Sequence, residues 1–148
     1  MTEFRTRAMS ATDLPRVVDL DAETGVRRRD FFHKRWQAMQ TEPDKYISLV
    51  AEANEEIAGF VMAHVLAGEF GTDQRFAILD GLGVDKEARR SGIGVSLIDA
   101  LKQASRQRNC SELRTQIAWQ QRDLLAFFSG AGFVPAAVNV LECQFDQE

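Results

Sequence analysis

Arg89-Arg90-Ser91-Gly92-Ile93-Gly94 is the stretch of this 148-residue chain that says most about its fold. An apolar run with the composition of a strand, 76–84, precedes it, and an amphipathic helix, 92–108, follows it. Glycines 92 and 94 lack Cβ atoms and let the backbone approach a ligand closely. The first N–H groups of the helix have no intrahelical partner and carry its positive dipole end. With two arginines beside them, these features predict a loop that binds phosphate groups.

Two better-known phosphate loops are absent from the sequence. No G-x-x-x-x-G-K-[ST] occurs, and the dinucleotide fingerprint G-x-G-x-x-G fails because Leu97 stands where the third glycine belongs. A helix that begins at glycines, with solvated arginines and no ligand, is the simpler alternative. The neighbouring segments have to decide between a ligand site and that alternative.

Those segments resemble the GNAT superfamily of N-acyltransferases. The spacing R-x-x-G-x-G from Arg89 to Gly94, after a strand that ends in Leu82-Gly83-Val84, is similar to the acyl-CoA loop of that superfamily. A strand and helix near the N-terminus, with Ser10 and Asp13 in the pattern of a capping box, resemble its opening. Residues 121–133 (QRDLLAFFSGAGF) are similar to its second signature, N-x-x-A-x-x-F-Y-x-x-x-G-F. The resemblance covers nearly the whole chain in the right order.

The resemblance implies an α/β (α+β) fold in a single domain over residues 1–148. Its central sheet would be mixed and largely antiparallel, splayed at a parallel strand pair, with helices on both faces. The sequence pattern predicts helices near 12–22, 29–40, 92–108 and 123–129. It predicts strands near 3–9, 46–53, 57–66, 76–84 and 113–118, and a final strand pair within 133–145. Strands 76–84 and 113–118 flank one helix and are expected to be parallel neighbours.

The resemblance also implies acetyl-CoA as the cosubstrate. Its pantetheine arm would lie in the splay, and its pyrophosphate on the glycine loop. The residues implied to hold it are Leu82, Gly83, Val84, Arg89, Arg90, Ser91, Gly92, Ile93, Gly94, Gln121 and Phe128. Gly81 and Gly83 fit a close approach of the cofactor to the strand, and packing against a helix is the alternative.

Two residues depart from the second signature. Gln121 replaces the usual asparagine and keeps an amide. Phe128 replaces a tyrosine that, in the family, commonly protonates the departing thiolate. Phe128 can pack beside the thiol arm or belong to the core, but it cannot be an acid. Water or direct departure of the thiolate would then have to suffice.

Acyl transfer to an amine requires a proton acceptor, because an amine with a pKa of about 10.4 is mostly protonated at neutral pH. Asp80 is the leading candidate, since a carboxylate is uncommon inside an apolar strand and many family members place an acidic residue there. A solvent-facing position is the alternative for Asp80. His64, on the preceding strand, is the second candidate. A backbone N–H such as that of Val84 would stabilise the developing oxyanion.

The acceptor is left open by the sequence. The basic run Arg27-Arg28-Arg29 suits an anionic acceptor, or is a solvated face. The acidic residues Glu69, Asp73 and Asp80 favour a cationic amine instead. These patterns point in opposite directions.

Composition narrows the class of protein. The net charge is −4 and the sequence pI is about 5.3, which argues against nucleic acid as a partner. No apolar run reaches the roughly 18 residues that would cross a membrane, and the N-terminus has no secretory pattern. Cys110 and Cys143 show no metal-ligand spacing, so no metal is expected. We expect a cytoplasmic protein, and homodimerisation only by analogy with the superfamily.

Two functions of different classes follow. The first is an N-acetyltransferase that moves an acetyl group directly from acetyl-CoA to a primary amine of a small molecule or protein. The second is a non-catalytic acyl-CoA sensor of the same fold, which the missing hydroxyl at Phe128 favours. A nucleotide as the pyrophosphate ligand is a third possibility.

Overall fold

A single β-sheet forms the centre of the protein. The computed structural model describes residues 3–23 and 28–146. Within those residues the sheet has five strands in the order β1-β2-β3-β4-β5. They are β1 (Arg5–Ala8), β2 (Tyr46–Ala53), β3 (Glu56–Ala67), β4 (Arg75–Val84) and β5 (Glu112–Arg114). The helices are α1 (Leu14–Ala22), α2 (Arg29–Thr41), α3 (Ile93–Gln107) and α4 (Arg122–Gly130).

The sheet is mixed, and it opens beside β4. The pairs β1–β2, β2–β3 and β3–β4 are antiparallel, whereas β4 and β5 are parallel. The parallel pairing ends at Ile78 and Arg114, although β4 continues to Val84. The expected fold class, including the parallel pair at which the sheet splays, is confirmed.

A hairpin joins β2 and β3, the two strands that the sequence predicts near 46–53 and 57–66. Ala53 faces Glu56, so Asn54 and Glu55 make a two-residue loop. Their φ angles are 53° and 65°. Two consecutive left-handed residues are the geometry of a type I′ turn, whose twist matches that of the flanking strands.

Two adjacent residues of β3 show that helices cover both faces of the sheet. Phe60 belongs to a buried cluster with residues of α1 and α2, among them Val17 and Phe32. Gly59 faces the other way, where an added Cβ would lie 3.1 Å from side-chain atoms of both Ile93 and Leu97 on α3. Side chains alternate across a strand, so α1 and α2 lie on one face and α3 on the other.

The first helix is held to the sheet by charge. The carboxylate of Asp13 accepts a hydrogen bond from the backbone N–H of Ser10 at 2.8 Å, as expected of a capping box. It also accepts two bonds from Arg7, at 2.8 and 3.0 Å. Arg7 in turn donates to Glu52 on β2 at 3.1 Å. Hydrogen bonding from Arg7 lowers the pKa of the Asp13 carboxyl below its ordinary value.

We expect Asp13→Asn to lower the free energy of unfolding at pH 7 by about 2 kcal/mol, since a buried hydrogen bond to a charged group is lost. A carboxyl whose pKa is depressed by folding stabilises the fold above its unfolded-state pKa, and that stability is lost as pH falls through the folded-state pKa. The difference between wild type and variant should therefore narrow in acid. Urea unfolding at several pH values measures it, with the exposed Asp44→Asn as the control. A pH-independent difference would contradict the assignment.

The chain divides into two compact units, Met1–Gln116 and Ile117–Glu148. The first holds the sheet and α1 to α3, and the second holds α4. The prediction of one domain over 1–148 stays a prediction. The predicted strand pair in 133–145 is wrong, because residues 131–146 contain no strand. A strand needs a paired edge, and the alternating residues Val138 and Val140 are exposed instead of packed.

Two boundaries also differ from the sequence prediction. The strand expected over 113–118 is shorter and ends at Arg114. Residues 115–118 form no strand, and the pairing of β4 with β5 ends at Ile78 and Arg114. Arg27, in the basic run before α2, lies outside the described residues.

Candidate active site

A β-bulge at Asp80 is the most distinctive feature of β4. Ala63 of β3 faces Leu79, and the preceding residue, Met62, faces Gly81. Asp80 is thus an extra residue without a cross-strand partner. Bulges re-aim a side chain and terminate regular pairing, and they are frequent beside active sites.

The carboxylate of Asp80 is bound by side chains from two other elements. Both of its oxygens lie within 2.9 Å of Nδ1 of His64 on β3. Nη1 of Arg35 on α2 donates a hydrogen bond to Oδ2 at 2.8 Å. The side chain of Asp80 is 16% exposed. Asp80 therefore does not point into solvent, and the structure brings together the two candidate bases, Asp80 and His64.

Aromatic rings and a second ion pair surround this cluster. The guanidinium of Arg35 lies 5.1 Å from the ring centre of Phe31 and 4.9 Å from that of Tyr46. The guanidinium of Arg28 lies 4.6 Å from the ring centre of Phe31 and donates hydrogen bonds to both carboxylate oxygens of Asp21, at 2.9 and 2.8 Å. Hydrogen bonding to Asp21 raises the pKa of Arg28. Two arginines and two aspartates thus balance one another beside the bulge.

The balance of arginines and aspartates beside the bulge affects both acceptor hypotheses, the one based on the basic run 27–29 and the one based on the acidic residues. Arg28 is engaged by Asp21 and is not presented as a free cation, while Arg29 is exposed. Glu69 and Asp73 lie in the loop between β3 and β4. From the start of β4 at Arg75, Asp80 is about 17 Å further along the strand at 3.3 Å per residue. The structure does not bring the loop acids to Asp80.

The glycines of β4 accommodate an aromatic ring of the neighbouring strand. Phe60 faces Gly83 across the pair and is fully buried. A Cβ on Gly83 would lie 2.7 Å from Cε1 of Phe60 and 3.4 Å from the carbonyl oxygen of Leu20. A Cβ on Gly81 would lie 3.3 Å from the same ring. Packing thus explains why residues 81 and 83 are glycines. The group that they pack against is mainly the ring of Phe60 on β3, whereas the alternative drawn from the sequence was packing against a helix.

The end of β4 has one edge that β5 does not cover. Leu82, Gly83 and Val84 pair with β3, and pairing with β5 has ended before them. The carbonyl of Val84 accepts a hydrogen bond from Nε of Arg89 at 3.3 Å. The three residues predicted to contact a pantetheine arm therefore lie in the opening of the sheet, next to the glycine loop.

The loop after β4 is anchored at its start and open at its end. Asp85 forms an ion pair with Arg16 of α1, and its Oδ1 accepts from the N–H of Glu87 at 3.0 Å. Arg90 has a φ of 71° and Gly92 a φ of 89°. Left-handed residues in such a loop turn successive N–H groups toward one side, which forms an anion-binding concavity.

Gly92 precedes α3 and leaves the helix N-terminus accessible. The N–H of Ser96 donates to the carbonyl of Gly92 at 3.0 Å, which is the first bond of the helix. The N–H groups of residues 93–95 come before that bond and have no partner within the helix. A Cβ on Gly92 would meet no atom within 4 Å. The surface beside these N–H groups is thus unobstructed.

The predicted cofactor residues of this loop differ in what their side chains do. Arg89 and Arg90 are exposed. The hydroxyl of Ser91 donates to the carbonyl of Ala88 and so stabilises the loop itself. The side chain of Ile93 is buried against the sheet, so only its N–H faces the loop. Gly94 lies in the first turn of α3.

Gln121 and Phe128 belong to the second unit. Gln121 precedes α4, and its Oε1 accepts from the N–H of Ala118 at 3.0 Å. Phe128 is buried, with ring centres 5.3 Å from Phe127 and 5.1 Å from Phe133. The amide thus caps a local turn, and the aromatic packs with its neighbours in an edge-to-face manner.

Sequence reasoning missed Arg35 and Tyr46 as parts of the site. Arg35 lies one turn after Phe31 on α2, a spacing that places both on one helix face. Tyr46 faces His64 directly across β2 and β3. The spacing of Phe31 and Arg35 on one helix face can be read from the sequence. The contact between Arg35 of α2 and Asp80 of β4 depends on tertiary packing.

Comparison with known proteins identifies the family. The profile of the acetyltransferase (GNAT) family matches residues 14–133, and the chain belongs to that family. The predictions of a GNAT protein and of an acyltransferase are confirmed. N-alpha-acetyltransferase 60 of Xenopus tropicalis is 28% identical over 114 residues, covering 66% of this chain and 47% of that protein. The protein of the same name from Danio rerio is 27% identical with the same coverage. The chain spans about half the length of these relatives.

Solved structures share the fold at low sequence identity. Aminoglycoside antibiotic 6'-N-acetyltransferase from Acinetobacter baumannii superposes with a TM-score of 0.81 at 20% identity, covering 98% of this chain and 100% of that one. An aminoglycoside N-acetyltransferase in complex with CoA has a TM-score of 0.81 at 18% identity, covering 97% and 96%. Glucosamine-6-phosphate N-acetyltransferase from Arabidopsis thaliana has a TM-score of 0.75 at 15% identity, covering 97% and 99%.

Over 3–23 and 28–146, no helix combines the length and the apolar character that crossing a membrane requires. In the same ranges, no group of three or more His, Cys, Asp and Glu residues is arranged to hold a metal ion.

Proposed function

We propose that this chain is an N-acetyltransferase that moves an acetyl group directly from acetyl-CoA to a primary amine. One observation carries the proposal: the open edge of β4 runs from the bulge at Asp80 toward a helix N-terminus whose first N–H groups have no partner within the helix. A long ligand with a pyrophosphate at one place and a reactive group further along matches that arrangement. Membership of the GNAT family supports the acyl group as the one transferred.

Acetyl-CoA is the cosubstrate that this geometry fits best. The N–H groups of residues 93–95 and the exposed guanidinium groups of Arg89 and Arg90 would bind its pyrophosphate. The backbone of Leu82, Gly83 and Val84 would pair with the amides of its pantetheine arm, as an added strand does. The fold of the relative solved with CoA supports the same ligand.

Acyl transfer requires two groups from the chain, a hydrogen-bond donor for the oxyanion and an acceptor for the amine's proton. The developing oxyanion of the thioester carbonyl needs a preorganised donor. Val84 lies about 13 Å beyond Asp80 at 3.3 Å per residue, so we propose a backbone N–H of the open edge closer to the bulge as that donor. The attacking amine must lose a proton, and the Asp80–His64 pair at the bulge is our candidate to accept it. Phe128 offers no proton to the departing thiolate.

The acceptor we propose is an amine with a single positive charge, such as the α-amino group of a peptide. Among the residues that the structure describes beside the bulge, the charges of Arg28 and Arg35 are balanced by Asp21 and Asp80, which leaves no excess of acid there to attract a polycation. An α-amino group has a pKa of about 7.7–8.0, so it is more easily deprotonated than a lysine. The relatives named N-alpha-acetyltransferase 60 support this class of acceptor.

Calorimetric titration with acetyl-CoA, CoA and ATP tests the cosubstrate. We expect acetyl-CoA and CoA to bind saturably and ATP not to bind. A panel of peptides with free or blocked N-termini, and of small amines that include an aminoglycoside, then tests the acceptor by detection of released thiol. We expect release only with free α-amino groups. Binding of acetyl-CoA with no thiol release for any amine would favour the non-catalytic sensor instead.

A further inference from the structure

We propose that His64 is the general base of this acyl transfer and that Asp80 acts through it as a positioning residue. This inference rests on the proposed function. It reverses the order of the two candidates that the sequence suggests, and the reason is the set of hydrogen bonds around the bulge on β4.

The contacts of His64 leave one ring nitrogen available. Nδ1 lies 2.9 and 2.8 Å from the two oxygens of Asp80. An ionised carboxylate only accepts hydrogen bonds, so the neutral imidazole carries its proton on Nδ1 and its lone pair on Nε2. Over the described residues, Nε2 has no hydrogen-bond partner. The side chain is 28% exposed, so an incoming amine can reach that lone pair.

The oxygens of Asp80 are less available than Nε2 of His64. Oδ1 is occupied by His64, and Oδ2 by both His64 and Arg35. The Asp80 side chain is also more buried than that of His64, at 16% against 28% exposed. An amine would have to displace an arginine or the imidazole to reach it. The carboxylate therefore orients the ring and stabilises the imidazolium that forms, a role known from other carboxylate–histidine pairs.

Charged and titratable groups face His64 from three neighbouring elements. Asp80 lies on β4 and Arg35 on α2, while Tyr46 lies directly opposite on β2. Arg28, just before α2, acts on the same carboxylate through its charge. Arg35 contacts both the Tyr46 ring and the Asp80 carboxylate, so it holds that carboxylate in place beside the imidazole of His64.

The proton and electron balance of the step is simple. The acceptor ammonium gives one proton to Nε2 of His64, which becomes imidazolium. The neutral amine nitrogen attacks the thioester carbonyl carbon and forms the C–N bond. The tetrahedral intermediate collapses by breaking the C–S bond, and the electron pair leaves on sulfur. The second proton of the nitrogen goes to the thiolate through water, and the imidazolium returns its proton to solvent.

His64→Gln tests the base, and His33→Gln is the matched control, because His33 is the other histidine of the chain and is exposed on α2. With a peptide acceptor, we expect kcat/KM of His64→Gln at pH 6.5 to fall about 100-fold, the lower end of the effect of a general base. The deficit should shrink as pH rises above the pKa of the acceptor, because a neutral amine needs no base. A constant ratio to wild type at every pH, or no loss, would overturn the proposal.

A double-mutant cycle separates His64 from Asp80. If Asp80 acts through His64, Asp80→Asn lowers kcat in the wild-type background and costs little more in the His64→Gln background. If Asp80 were itself the base, its substitution would cost the same in both backgrounds. Unchanged affinity for acetyl-CoA shows that each variant remains folded.

Nitrogen NMR of the two imidazoles gives a readout that does not depend on turnover. We expect the neutral ring of His64 to be protonated at Nδ1 in the wild type and to lose that preference in Asp80→Ala. His33 serves as the internal reference in both proteins. A His64 ring protonated at Nε2 would overturn the proposal. A wild type that acetylates no amine would instead overturn the proposed function, and this role with it, even with the Nδ1 tautomer present.

Discussion

Gly92→Glu is expected to abolish acetyl-CoA binding in calorimetric titration, with a loss of at least 100-fold in affinity. The carboxylate would enter the open surface beside the N–H groups of residues 93–95, where the pyrophosphate is proposed to lie. The added carboxylate weakens binding in two ways: it offsets the positive end of the helix, and it repels the pyrophosphate. At about 4 Å, like charges near a protein surface repel by about 1–4 kcal/mol.

The space around Gly92 makes this variant interpretable. Nothing lies within 4 Å of an added Cβ, so steric disruption of the fold is not expected. The φ of 89° strains any L-residue at this position, and Gly92→Gln carries the same strain without the charge. We expect Gly92→Gln to bind more tightly than Gly92→Glu. S-acetylpantetheine, which lacks the pyrophosphate, should not distinguish the two variants. Equal affinity of Gly92→Glu and wild type for acetyl-CoA would show that the loop is not the cofactor site.

Gly83→Val is expected to lower the free energy of unfolding by about 3 kcal/mol, at the upper end of the usual cost of overpacking. A Cβ alone would lie 2.7 Å from the Phe60 ring, and the two methyl groups add further volume. Phe60 is fully buried and packs edge-to-face on Phe32, so the ring has no room to withdraw. The intrinsic strand preference of valine predicts the opposite sign.

Urea unfolding followed by fluorescence of Trp36, which packs on the same cluster, measures this loss. Leu82→Val on the neighbouring position makes a comparable β-branched change and should cost less than about 1.5 kcal/mol. Phe60→Leu should recover part of the loss in the Gly83→Val background, because the clash is with the ring. A stabilised Gly83→Val, or a loss that Phe60→Leu leaves unchanged, would contradict the packing described for β4.

Local signals account for the parts of the fold that the sequence predicts well. The left-handed φ angles at Asn54 and Glu55 are those of a two-residue turn between alternating strands, and Asn54 is a residue that favours this region. The capping contact between Ser10 and Asp13 spans three residues. The apolar face of α3 repeats at helical spacing and is buried as expected. The strand pair expected in 133–145 did not form, because apolar alternation does not supply the paired edge that a strand requires.

The sequence by itself determined the order of elements, the glycine loop before α3 and, through both, the family. Each of these depends on residues that are close together in the chain. Only the tertiary structure decided what Asp80 does, because its partners are His64, 16 residues away, and Arg35, 45 residues away. It likewise decided that position 83 requires glycine, because the ring of Phe60 on the neighbouring strand leaves no room there for a Cβ. The bulge arises from a mismatch in pairing between β3 and β4, and neither strand contains that register on its own.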